Sequence, residues 1–107
     1  MMDKYILEGR TPKAVADLIE WARWFEKADR HVARDEINGI LVSTVFLGLD
    51  HGWGMHSRPV LFETMVFGGK YDQSQERYCT WDEAEAGHKQ WLKKVQDSEE
   101  WPSEIEQ

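Results

Sequence analysis

Residues 40–69 read ILVSTVFLGLDHGWGMHSRPVLFETMVFGG, and this run decides the fold class. Ile40 to Asp50 is β-branched and aromatic, with Leu41, Val45, Leu47 and Leu49 on one face and Val42, Thr44 and Phe46 on the other. Val60 to Phe67 repeats the pattern, setting Leu61, Glu63, Met65 and Phe67 against Val60, Phe62, Thr64 and Val66. Between them, His51 to Pro59 carries Gly52, Gly54 and Pro59, which break the strand into a loop. Both faces are largely apolar, so these read as central strands of an antiparallel sheet.

Upstream, His31 to Ile37 ends in Asn38-Gly39, the pair that best satisfies the positive φ angles of a two-residue type I′ turn. A β-hairpin is expected. Further upstream, Thr11-Pro12 offers a cap and a first-turn proline, after which Val15, Leu18, Ala22 and Phe25 recur at helical spacing. This predicts a helix from Pro12 to Asp29.

Downstream, Gly68-Gly69 and the polar turn Lys70 to Ser74 lead to a short strand near Glu76 to Cys79. Thr80-Trp81-Asp82-Glu83 is a capping box, and the helix it opens has an apolar stripe of Trp81, Ala84, His88, Trp91, Leu92 and Val95. The expected architecture is α+β, an antiparallel sheet of three or four strands with an N-terminal and a C-terminal helix packed on one face, α-β-β-β-(β)-α. Residues 1–96 form one domain in this reading, and the acidic residues 97–107 a disordered tail. With both helices on the Leu41 side, Val42, Phe46, Phe62 and Val66 would face water, which points to a homodimer or higher homo-oligomer.

At 107 residues with 41% hydrophobic content, the chain suits one core rather than two. Twenty acidic against 13 basic residues give a net charge of −7, which argues against direct binding to nucleic-acid phosphates and allows a basic protein partner. The lone Cys79 excludes an internal disulfide and suits a reducing compartment. No run has the length of a membrane span, and the first residues lack a secretory pattern, so the expected location is the cytoplasm. Six tryptophans raise the expectation of an interface.

The residues suited to chemistry are Asp50, His51, His56, Glu63 and His88, types that serve acid–base work or a divalent metal. Glu63 and His51 are the candidate catalytic groups, and Asp50, His51 and His88 the candidate metal ligands. Their spacing matches no diagnostic motif. A register that sets residue 47 opposite Glu63 places His51 roughly 13 Å further along the strand, which argues against a direct pair. Glu63 amid apolar neighbours needs a partner, for which Arg34, Arg77 or His88 are available. In the loop, Trp53 could stack on an aromatic ring and Arg58 pair with a phosphate, a combination that suits a small nucleotide-like ligand. The plain structural alternatives are a buried ion pair for Glu63, a hydrogen-bonded core histidine for His88 and a loop tryptophan packed on its own sheet.

The segments WARWFEKADRHVAR, VSTVFLGLDHGWG, LFETMVFGG and RYCTWDEAEAGH resemble a widespread family of small uncharacterised proteins encoded by tailed phages and prophages. The resemblance covers roughly Trp21 to His88 and singles out Asp50, His51, Glu63, Thr64, Thr80, Trp81, Gly87 and His88 as recurrent positions. Thr80, Trp81 and Gly87 are explained by capping and packing alone. The loop HGWGMHSRP departs from the Gly-Pro-richer version of the family, which weakens a shared role for His56 and Arg58.

Two functions lead among those compatible with these features, ahead of an acidic inhibitor that mimics DNA to a basic host protein. One is a non-enzymatic oligomeric binding module acting on a host protein or a small nucleotide-like signal, with counter-defence as one setting. The other is a metal-dependent phosphoester hydrolase using Asp50, His51, Glu63 and His88. They part on one observation: the hydrolase requires those four side chains to meet in space.

Overall fold

A computed structural model describes residues 3–52 and 58–105, with side chains described to residue 99 in the final helix. The order is β1 (Lys4–Glu8), β2 (Thr11–Val15), α1 (Leu18–Lys27), β3 (His31–Ile37), β4 (Ile40–Phe46), β5 (Phe62–Phe67), β6 (Gln75–Tyr78) and α2 (Trp81–Ile105). The chain is α+β, with a two-stranded sheet β1-β2 and a four-stranded antiparallel sheet β3-β4-β5-β6.

The N-terminal hairpin corrects the expected start of the first helix. Thr11 and Pro12 lie in β2, where Pro12 pairs with Leu7 across a turn at Gly9, whose φ is 63°. A two-stranded ribbon leaves edge positions at which the missing proline N–H costs little. The helix begins only after Asp17, whose Oδ1 accepts from the backbone N–H of Ile19 at 2.8 Å and of Glu20 at 3.2 Å. The apolar spacing of Val15 and Leu18 is continuous across that boundary, so the strand was hidden by a pattern that also fits a helix.

The β3–β4 hairpin turns at Asn38 and Gly39, with φ of 50° and 83°, the left-handed pair that a type I′ turn requires. β4 and β5 pair with Val42 opposite Val66, Thr44 opposite Thr64 and Val45 opposite Glu63. The partner of Glu63 is therefore residue 45, two positions from the register expected. The strand β4 ends at Phe46 instead of Asp50, because Gly48 takes φ 79° and turns the chain toward β1. There Tyr5 N–H donates to Gly48 O at 2.8 Å, and Asp50 N–H donates to Asp3 O at 3.0 Å.

The helix α2 covers the face of the large sheet that carries Val42, Thr44, Phe46, Phe62, Thr64 and Val66, all fully buried. This reverses the expected orientation, which left Val42, Phe46, Phe62 and Val66 open to a partner subunit. On that face His88 of α2 meets Thr44 and Asp35 while Ala84, Trp91 and Val95 pack among its buried apolar residues, whereas the opposite face carries Glu63 paired with Arg77. The helix continues to Ile105, past the Gln96 boundary where its apolar stripe stops.

Two clusters make up the core. Ile40, Val42, Val66, Trp91 and Val95 form one, with Ile37, Tyr71 and Leu92 against it. Phe46, Leu61, Phe62 and Ala84 form the other, joined by Tyr5, Leu7, Trp24, Val32, Tyr78 and Trp81. Through Trp24, which meets Phe46 edge-on at 5.7 Å, α1 reaches the same side of the sheet as α2.

Candidate functional site

The residues suited to chemistry fall into three separate places. The first is the neck of the loop that follows β4. Asp50 Oδ1 accepts from Gly52 N–H at 2.7 Å and Val60 N–H at 2.9 Å, while His51 N–H donates to Val60 O at 2.9 Å. His51 Nδ1 lies 2.8 Å from Leu49 O, a distance at which that nitrogen donates. Asp50 and His51 thus close the loop by hydrogen bonds to its own backbone, the usual work of an Asx side chain at a turn. Trp53 and His56 lie outside the described residues.

Arg58, at the far side of the loop, reaches the start of α2. Its Nη2 donates to Glu83 Oε2 at 2.9 Å, while Glu83 Oε1 accepts from the N–H groups of Cys79 and Thr80 at 3.1 and 3.2 Å. Glu83 N–H in turn donates to Thr80 Oγ1 at 3.1 Å, completing the capping box that the sequence signals. The Arg58 hydrogen bond and the donated N–H of Cys79 hold the Glu83 carboxyl below its ordinary range, and the same contact raises the guanidinium of Arg58. Arg58 serves as a clasp between loop and helix.

The second place is the side of the sheet that α2 does not cover. Strand alternation puts Leu41, Ser43 and Val45 of β4 there with Glu63, Met65 and Phe67 of β5, flanked by Arg34 and Glu36 of β3 and by Gln75 and Arg77 of β6. Glu63 Oε2 accepts from Arg77 Nε at 3.0 Å, and its side chain is only 14% exposed. Of the available partners, Arg77 is the one it takes. Leu41, Val45 and Met65 are partly exposed and Phe67 is 40% exposed. Among the described residues no helix packs over this face.

The third place is the interior between sheet and α2. His88, 3% exposed, sets Nε2 2.8 Å from Asp35 Oδ2 and Nδ1 2.7 Å from Thr44 Oγ1. A carboxylate only accepts, so Nε2 carries a proton and donates to Asp35. Thr44 Oγ1 is 2.5 Å from Thr64 Oγ1, and both threonines are fully buried. Beyond Thr64, Tyr78 leans over Gly87 of α2, while Trp91 Nε1 donates to Glu76 Oε1 at 2.9 Å. Burial chiefly raises the phenol of Tyr78, with a hydrogen bond from Thr64 opposing it.

Each strand of the large sheet therefore offers polar side chains to the helix side: Asp35 on β3, Thr44 on β4, Thr64 on β5, and Glu76 and Tyr78 on β6. The Asp35–His88–Thr44 chain has the residue types of a nucleophilic triad, but the Thr44 hydroxyl has no exposed surface at which a substrate could meet it. It is a structural bond network. Asp35 and Thr44 are not legible in the sequence as partners of His88, because the links join residues 53 and 44 positions apart. The readable signal was a threonine at the same buried position of two neighbouring strands.

Glu63 and His88 are on opposite faces of the sheet, and neither meets Asp50 or His51. The four-residue convergence required of a metal-dependent hydrolase is absent, and among the described residues no group of three or more His, Cys, Asp or Glu side chains is placed to hold a metal ion. No described helix is long and apolar enough to cross a membrane. Comparison of the chain with protein-family models, with curated proteins and with solved structures found no match.

Proposed function

We propose that this protein is a binding module that works by protein–protein contact through the bare face of its four-stranded sheet. The observation that carries this reading is the row Leu41, Val45, Met65 and Phe67, four apolar side chains at positions where a sheet with one solvated face alternates to polar residues. Charged residues border that row on both sides, Arg34 and Glu36 on β3 and Arg77 on β6. An apolar centre inside a polar rim is the anatomy of an interface. The side chains with catalytic potential support the same reading from the other direction, since Asp50, Arg58, Glu63 and His88 are each engaged in bonds that hold the fold.

The resemblance to small tailed-phage and prophage proteins favours a bacterial host protein as the partner, met in the host cytoplasm. A nucleotide-like ligand finds less support, because Arg58, the phosphate-pairing residue of that idea, is taken by Glu83. The test is cross-linking of the purified chain in bacterial extract, read by mass spectrometry, for the native sequence and for Phe67→Asp. Partners cross-linked by the native chain and lost with Phe67→Asp are the expected result. An unchanged set of partners would overturn the reading.

A further inference from the structure

We infer that a second copy of this chain is an occupant of the bare sheet face, so that two sheets stack with both α2 helices turned outward. The inference rests on the binding reading above and names a partner for its surface. What points to a second copy is the distribution of charge. From Trp81 onward the chain carries eight carboxylates against three lysines, so five of the seven net negative charges belong to α2 and the residues that follow it. That helix lies on the opposite side of the sheet from Leu41, Val45, Met65 and Phe67.

The bare face itself is balanced. Arg34 and Glu36 sit on the β3 side, and Arg77 is paired with Glu63 on the β6 side. Each rim thus holds one cation and one anion. Two chains of net charge −7 would repel through most orientations, but stacking by this face brings neutral patches together and sends the acidic helices apart. Like charge then selects the orientation instead of preventing contact. The contact also buries Phe67, which is 40% exposed, and the partly exposed Met65.

Size sets the strength. Four strands at about 4.8 Å spacing and six residues at about 3.3 Å rise span about 400 Å² in plan, against roughly 800 Å² per partner in a standard interface. An interface of that size belongs to the weak, exchanging class.

Sedimentation velocity from low micromolar to several hundred micromolar tests this. The native chain shifts from the mass of one chain toward two, Met65→Glu stays at one throughout, and Lys93→Glu, on the outer surface of α2 where the side chain is 78% exposed, behaves as the native protein does. A second measurement covers the case in which Met65→Glu fails to fold. A nitroxide on Lys93→Cys, on the outer surface of α2 and in a Cys79→Ser background, gives an intermolecular distance of about 30–50 Å, because stacked sheets lie about 10 Å apart with a helix layer of about 10 Å beyond each. A native chain that remains single at every concentration, or a folded Met65→Glu that dimerises normally, or no inter-label distance, would sink the inference. A single native chain whose cross-linked partners still vanish with Phe67→Asp would refute self-association alone, whereas a dimer with an unchanged partner set would refute the host-protein reading alone.

Discussion

At Gly87 the absence of one carbon atom decides how closely the helix can approach the sheet. A Cβ there would fall well inside contact distance of the Tyr78 hydroxyl and of two of its ring carbons. Gly87→Ala is expected to cost about 1–3 kcal/mol in urea unfolding through overpacking. Tyr78→Phe should restore little of that, because the ring carbons remain in the way; full recovery would show that only the hydroxyl is crowded. His88 makes the complementary case for polar atoms. Replacing it by leucine leaves the buried Thr44 hydroxyl with Thr64 alone and removes the bond to Asp35, for a loss of roughly 1–3 kcal/mol. Sequence alone placed His88 on the buried stripe, and that much was legible because helical periodicity is local. Its partners were not, since Asp35 and Thr44 come to it from two different strands.

Among the elements, α2 has the start most fully written in the sequence. The Thr80–Glu83 box is formed as its spacing implies, and Arg58 adds a bond that only the folded loop can supply. This contact gives the helix a pH-dependent anchor. The Glu83 carboxyl is held below its ordinary value in the folded chain, so its contribution is fully present above the ordinary value of about 4.5 and is lost as pH falls through the lower folded value. Thermal melts of the native chain and Glu83→Gln should therefore differ most at neutral pH and draw together in acid. A gap that stays constant down to pH of about 2 would show that charge on Glu83 is not what matters. The first helix was less legible. Tyr5, Ile6 and Leu7 before Gly9 form a short strand signal, but Thr11-Pro12 is equally a helix start, and only pairing with β1 decides between them.

For the whole molecule, the central finding is that the sheet separates the two most suggestive carboxylate and imidazole groups. Glu63 with Arg77 lies on one face, His88 with Asp35 and Thr44 on the other. A double-mutant cycle between Glu63→Gln and His88→Leu should give a coupling within about 0.5 kcal/mol of zero, whereas Asp35→Asn with His88→Leu should couple by about 0.5–3 kcal/mol. Strong coupling across the sheet would contradict the separation. The sequence makes the existence of two strand faces plain, but not which of them the helix covers, because both are apolar; the choice follows from the fit of Ala84, His88, Trp91 and Val95 to Thr44 and Thr64. The polar bonds between helix and sheet have one more consequence. Both edge strands are tied to α2 by a carboxylate, β3 through Asp35 to His88 and β6 through Glu76 to Trp91. A slip of either strand by one residue would turn that carboxylate to the wrong face and strand its buried partner, so the same bonds act as pins on strand register and guard the two edges where mispairing would begin.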